Sequence, residues 1–580
     1  MVSSSFLQRL EVPHPPGQPR PTWLLNNDIK PIEKARRTWS WYEYFSFWCV
    51  GAFNITNFQL VSGPLFALTR STGDFRWLTN GCSSLRQGSA LLATGLNWWQ
   101  TTVATLIGHI LASLLIIITS YPGLEYQISF PVAMRISWGF YGSAFVVLNR
   151  ILLSIVWFGV QSWQGGQMAY VCIRAIWPSI DRIPNTIPAS TGMTLPMFVG
   201  FIVFSLIQVP FLILGPGRLR YMLHVGAIGG FICQLVLVSW AGGTKGPQGF
   251  GEILDSTNKL SGSDAGWMFV LGIGSTMSSI TAGTLSIGDY ARFARKRSDG
   301  IWSQGMGAFP AWIANVIGML TIAATQKRYG AALWSVASLL MAIQDADPSS
   351  KTRVGIFFCA FVFGITQLVL NISGNSFCGG TDMSALLPKY INIRRGQALT
   401  AILGTVINPW YLLSGALVFI SVLSSYVVFL QPFVGIAAAH YFVIQKRRLK
   451  VPDLYITGKQ SIYWYDFGVN WRTVLAWLVG VTPHMPGMVH SVNPKLPVTA
   501  GASHLYYIAS ITGFFIPLDY LVPVKVQKDF IQSVSVREAQ DIASEMAESN
   551  EKSAEGAARL SPDRESSVEH KIPEANSHSV

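Results

Sequence analysis

The chain has 580 residues, half of them hydrophobic and only 12% charged, whereas ordinary soluble domains carry about 25% charged residues. That balance excludes a soluble globular protein and points to an all-α, polytopic integral membrane protein. The net charge of +13 comes from Lys and Arg clustered between apolar runs, a pattern that membrane topology explains, so nucleic acid is excluded as a partner. Five of the six cysteines, Cys49, Cys172, Cys233, Cys359 and Cys378, lie in or beside apolar runs at no ligand-like spacing. Neither a disulfide framework nor a metal site follows from them, and no cofactor is implied.

Residues 1–38 lack the apolar core of a signal peptide and are expected to form a cytosolic segment. A bilayer crossing needs about 20 mainly apolar residues. Such runs stand near 39–59 with 87–95, 100–120, 142–173, 194–215, 219–241, 266–288, 304–325, 354–376, 397–415, 417–444, 471–490 and 504–524. Twelve transmembrane helices are therefore expected. With the N-terminus inside, the even-numbered connections should be basic, and they carry Arg218 and Arg220, Arg292 to Arg297, Lys389 to Arg395, and Lys446 to Lys450. Lys327, Arg328, Lys351 and Arg353 in the seventh connection run against this pattern. Residues 525–580 are rich in Ser, Glu and Ala without an apolar run and are expected to be a disordered cytosolic tail.

Two spans are poor helix centres. The first reads "VGAFNITNF", with Asn54 in the middle, and the sixth reads "LGIGSTMSSITAGTLSIGD", with Ser279 and Ile280 in the middle. Interruptions in corresponding positions of two five-span halves point to a transporter with inverted repeats and a substrate site where the broken helices meet. The other reading is that the small residues only let helices pack closely. Polar side chains also recur at helical spacing: Trp157 and Gln161 in the third span, with Ser154 beside them, and Asn371 and Asn375 in the eighth. An indole face can stack on a flat heterocycle, and a carboxamide offers a donor beside an acceptor. For Asn371 alone, a hydrogen bond between helices explains the residue as well.

The stretches "NNDIKPIEKARRTW", "FNITNF", "GLNWWQ", "ISFPVAMR", "VWFGVQSWQGG", "GDYARFARK", "GTDMSALLPKYINIRRG" and "GVNWRTVLAW" together resemble the fungal Fur-type branch of the nucleobase:cation symporter-1 family over residues 26 to 530. The resemblance implies a LeuT-like fold of two inverted five-helix repeats over 39–444 plus two further helices over 445–524. It also implies proton-coupled uptake of uracil, allantoin, uridine, thiamine or a related small heterocycle at the plasma membrane, with both termini cytosolic. On the same ground Trp157 is the stacking aromatic, Gln161 the amide that reads the ring edge and Asn375 the facing amide. The substrate-lining set is completed by Asn371, Asn54, Ser279 and Ile280.

The chain departs from the family pattern in three places. Val369 and Leu370 stand where bacterial relatives place hydroxyl side chains for sodium, which makes a proton the expected coupling ion. Ile280 aligns with the second ring-stacking aromatic, so the sandwich is one-sided. "SSITAGTLSIGDYARFA" and "GVTPHMPGMVHSVN" lean toward the thiamine and nicotinamide riboside branch, while "VWFGVQSW" and "GTDMSALLPKYINIRRG" lean toward uracil and allantoin carriers. The third departure is an insertion. Without Val61 to Gln87 the remainder reads "FNITNFQLGSALLATGLNWWQ", which fits the family without a gap. Val61 and Ser62 can be encoded by GTAAGT, Leu78 and Thr79 by a stretch containing CTAAC, and Gln87 by CAG, the donor, branch and acceptor signals of a fungal intron. A retained intron is the expectation; a genuine inserted loop is the alternative, against which long structureless loops inside compact domains weigh.

A receptor that binds the nutrient without transporting it remains the rival from another class. An enzyme is not expected, since no zinc-protease helix motif, phosphate loop or embedded Ser, His and Asp constellation occurs. Asp289 and Asp382 are the intramembrane acids, and each suits a proton-carrying role or a capping or gating role at a helix end.

Overall fold

The computed structural model describes residues 11–13, 22–55, 96–188, 191, 193–245, 249–251, 254, 260, 262–330, 333, 335–410, 425–493 and 495–521. The insertion at 61–87 and the tail at 525–580 lie outside the described residues. Those described form helices joined by short connections, without a sheet. In chain order they are α1 (Trp41–Ala52), α2 (Trp98–Tyr126), α3 (Phe130–Trp138), α4 (Phe140–Ile176), α5 (Leu195–Gln208), α6 (Pro216–Thr244), α7 (Gly262–Ser286), α8 (Gly288–Ala291) and α9 (Arg297–Gly305). There follow α10 (Ala308–Tyr329), α11 (Val336–Ala346), α12 (Ser350–Leu370), α13 (Phe377–Leu386), α14 (Ile393–Val406), α15 (Val427–Ala438), α16 (Trp471–Val481), α17 (Met485–Val492), α18 (Ala500–Tyr507) and α19 (Ala509–Leu521).

Eight segments among the described residues are long and apolar enough to cross a bilayer: Trp98–Tyr126, Phe140–Ile176, Leu195–Ile213, Gly217–Thr244, Gly262–Ser286, Arg297–Tyr329, Ser350–Leu386 and Val427–Ile444. They coincide with the expected second to eighth and tenth spans. The other four expected spans are shorter or interrupted. α1 and α14, of 12 and 14 residues, run toward stretches outside the description. α16 gives way to α17 through a tight turn at Thr482–His484 with Pro483 in it, where proline withholds a backbone donor. α18 and α19 part at Ile508.

The first-span interruption lies where the sequence puts it. α1 stops at Ala52, and the buried Asn54 turns its amide back to the carbonyls of Val50 (3.1 Å) and Gly51, bonding the end of the helix. The sixth span corrects the expectation: α7 is continuous from Gly262 to Ser286, and the chain turns only at Ile287. Its hydroxyls satisfy themselves within the helix, with Thr276 donating to Gly272 O (2.9 Å), Ser278 to Gly274 O (2.8 Å) and Thr281 to Met277 O (2.9 Å). Its small residues serve close packing. A Cβ on Gly274 would stand 2.7 Å from Tyr507 O of α18, and one on Gly108 of α2 would stand 2.6 Å from Thr276 Cβ.

Close approach also fixes the helix that carries Trp157 and Gln161. α4 packs against α5, α12 and α14, and a Cβ on Gly166 would stand 2.5 Å from Phe201 Cα, a backbone atom that cannot swing aside. Gly166→Ala is therefore expected to destabilise the protein by about 1–3 kcal/mol, the usual cost of overpacking, seen as a lowered melting temperature in detergent. The basic residues of the seventh connection have a local use: Arg353 donates to Ala175 O (2.8 Å) and Ile176 O (2.7 Å) at the end of α4. Ahead of α1, Asn26 donates to Ser384 Oγ (3.0 Å) and Pro388 O (3.1 Å), and Asp28 accepts from Ile393 N (2.9 Å). The "NNDIKP" motif is thereby strapped across α13 and α14.

Candidate functional site

Between α12 and α13 the helix widens. Asn371–Ser376 forms a π-turn, with the Phe377 amide bonded to Ile372 O. Single π-turns inside α-helices recur at functional sites because they displace side chains from the regular register. Here both amides of the eighth span lie on the turn, facing α4. Asn375 Nδ2 donates to Gln161 Oε1 (2.8 Å) and to Asn371 Oδ1 (2.9 Å). Asn371 Nδ2 in turn donates to Gln208 Oε1 (2.7 Å), Ser162 Oγ (2.9 Å) and Phe158 O (3.2 Å), and Gln208 Nε2 donates to Ser162 Oγ (3.0 Å).

Among the described residues, nothing bonds the Nε2 of Gln161 or the Oδ1 of Asn375. Neither residue is sealed off, at 7% and 8% exposure against 0% for Asn371. The pair therefore leaves one donor and one acceptor side by side for a ligand, while every Asn371 contact is internal. Trp157, one helical turn before Gln161, is half-buried and packs on the apolar cluster that includes Leu285 and Phe433. Its indole can offer a face beside the amides.

The remaining expected residues are not brought into this group by any described contact. Asn54 is spent on the end of α1. Ser279 is exposed and donates to Thr276 O (2.7 Å) of its own helix, and Ile280 packs on a different cluster, which includes Phe53 and Tyr290. Val369 is buried in that same cluster and approaches α6 at Gly226, so the place where the resemblance would put a sodium ligand is filled by hydrocarbon. Sequence reasoning missed Gln208 and Ser162. A lone glutamine closing the apolar run "FIVFSLIQVP" was the available signal.

A second polar group lies along the same helices. Arg150 of α4, 3% exposed, donates to Ser154 Oγ (2.7 Å) and Ser286 Oγ (2.8 Å) and faces the charges of Asp382 and Asp289. Asp289 accepts the first amide of α3, from Phe130 N (2.9 Å), which gives it the capping role. Asp382 of α13 is fully buried, and neither of its carboxylate oxygens has a hydrogen-bond partner among the described residues. Arg150 was also missed, although an ionisable residue inside "VLNRILLSIVW" marks itself.

Comparison with known proteins gives the family and the fold. Residues 80–513 match the family model described as permease for cytosine/purines, uracil, thiamine, allantoin. The chain is 33% identical over 504 residues to the allantoin permease of Saccharomyces cerevisiae, covering 85% of this chain and 74% of that one. It is 32% identical over 518 residues to the uridine permease of the same yeast, covering 87% and 76%. Among solved structures it resembles inward-facing Mhp1, with a TM-score of 0.60 at 20% identity over 87% of this chain and 93% of that one. A closed form of the same nucleobase-cation-symport-1 transporter with bromovinylhydantoin bound gives a TM-score of 0.60 at 19% identity, over 88% and 96%.

Proposed function

The chain belongs to the family of permeases for cytosine/purines, uracil, thiamine and allantoin, and from that premise we propose that it imports a neutral nucleobase-like heterocycle of the uracil, allantoin or uridine class together with a proton. The observation that carries the reading is the hydrogen bond from Asn375 to Gln161, which turns one amide N–H and one amide C=O outward next to each other. A ring edge with a carbonyl beside an N–H meets both, and Trp157 supplies a face for the ring plane. Thiamine and nicotinamide riboside carry a permanent positive charge, whereas the side chains of this group are neutral, which favours the uncharged class. A competition panel of uracil, allantoin, uridine, thiamine and nicotinamide riboside in a transport-deficient yeast tests the assignment. Saturable binding without accumulation in the cell would favour the receptor instead.

Coupling to protons rests on the side chains at 369 and 370, which offer no oxygen to a hard cation, and on Asp382, an intramembrane carboxylate whose oxygens no described residue bonds and which lies within reach of the Arg150 charge. Replacing external sodium by choline at constant pH should leave uptake unchanged, while collapse of the proton gradient should abolish accumulation. A strict sodium requirement would refute the assignment. Asp382→Asn should remove concentrative uptake while leaving equilibrium exchange.

The architecture that goes with this reading is a ten-helix core of two inverted five-helix repeats over 39–444 and two further helices over 445–524, in the plasma membrane with both termini cytosolic. The resemblance to Mhp1 across most of both chains supports the core. Residues 61–87 belong to a retained intron on this reading.

A further inference from the structure

We propose that Gln208, at the end of α5, is a positioning residue that sets which hydrogen-bonding pattern the substrate must present; this rests on the reading of Gln161 and Asn375 given above. A carboxamide has two unlike ends, so amides bonded in series have a direction. The acceptors around Asn371 Nδ2 are the Gln208 carbonyl at 2.7 Å, the Ser162 hydroxyl at 2.9 Å and the Phe158 carbonyl at 3.2 Å. The closest of them is Gln208. With its nitrogen held there, Asn371 presents its oxygen to Asn375, whose nitrogen is thereby drawn inward to Asn371 and Gln161. The outward pattern, acceptor on Asn375 and donor on Gln161, is the far end of this chain. Gln208 is 2% exposed and touches the substrate only through Asn371 and Asn375.

Loss of the Gln208 carbonyl leaves Asn371 with its two longer contacts and lets it turn over. An overturned Asn371 presents nitrogen to Asn375, so Asn375 turns as well and offers an N–H where it had offered oxygen. Gln161 Oε1 then loses its donor and no longer has a single favoured orientation, so the outward pair loses its fixed order of acceptor and donor and its preference for a ligand N–H at the Asn375 position weakens. A merely structural glutamine would instead weaken all ligands in proportion.

The test is a ratio of inhibition constants, 1,3-dimethyluracil over uracil, measured in the full chain and in parallel in the form lacking residues 61–87, with surface level followed by a fluorescent tag. Methylation removes both N–H donors and keeps the ring and its carbonyls. Gln208→Met, close in size but without the carbonyl, should lower the ratio at least fivefold. Gln208→Asn, one methylene short, should do the same while staying polar. Gln208→Glu should preserve the ratio, because a buried, protonated carboxyl accepts from Asn371 and donates to Ser162 as the amide does. An unchanged ratio in both Gln208→Met and Gln208→Asn, or equal weakening of both ligands, overturns the positioning role. A parent chain that binds none of uracil, allantoin and uridine in either form overturns the reading of the amide pair, and this inference with it; where allantoin or uridine binds and uracil does not, the same ratio is read on that ligand and its N-methylated form.

Discussion

Deleting residues 61–87 is expected to turn a chain without uptake into one that accumulates its heterocycle saturably. The insertion follows the broken end of α1, so translation of it puts Arg70, Asp74 and Arg76 into the run that should complete the first span. Each charge at the centre of a membrane helix costs roughly 2.5 to 3.5 kcal/mol on insertion scales. The measurement is radiolabelled uptake by the full and shortened chains at matched surface level, together with sequencing of the transcript. Equal uptake by the two forms, from an mRNA that retains the segment, would show that 61–87 is a genuine loop.

In the shortened chain, Gln161→Ala should weaken ligands with an N–H beside a carbonyl by roughly 5- to 150-fold. That range corresponds to the 1 to 3 kcal/mol cost of leaving a buried polar group unpaired. The loss is compounded because Asn375 Nδ2 keeps only Asn371 as an acceptor and can reorient. Analogues lacking that amide edge should be largely spared. Trp157→Ala should act differently, weakening every accepted ring together, since it removes a stacking face worth about 0.5 to 1.5 kcal/mol beyond its area burial. Asn375→Ala should follow Gln161→Ala. Inhibition constants for a ligand series against each variant check all three. Unchanged constants at normal surface level would reduce the amides to contacts between helices.

What the sequence revealed of this site depended on whether a residue's partner is local. Asn54 could be read as a helix break because an asparagine in an apolar run has few other uses, and it does bond the end of α1. The run from Gly272 to Ser286 looked equally broken, yet the hydroxyls of Thr276, Ser278, Ser279, Thr281, Thr284 and Ser286 each find a carbonyl about one turn back, a solution the composition does not distinguish from an unwound segment. Gln161 and Asn375 were visible through their spacing, while the bond between them depends on how α4 and the π-turn pack. Gln208 and Ser162 escaped for the same reason: their role lies wholly in a third residue, Asn371, that belongs to another helix. Ile280 was placed by alignment with a family position and Ser279 by the supposed break of the sixth span, and the continuous α7 directs both elsewhere.

The π-turn at Asn371–Ser376 has a consequence for the helix beyond it. A widened turn is equivalent to one extra residue in an α-helix, and one residue is about 100° of rotation and 1.5 Å of rise. Everything from Phe377 to Leu386 is therefore set at a different angular phase from the helix that precedes the turn, and it is at this phase that Asp382 is buried within reach of the Arg150 charge. Were a single residue lost from the turn, regular winding would be restored and the amides would hold much of their place, but the carboxylate would swing by about a quarter turn to a new bearing. The extra residue thus links two clock positions on one helix, the amides of Asn371 and Asn375 at one and the buried carboxylate at the other, so that a movement that rewinds the turn would alter both at once.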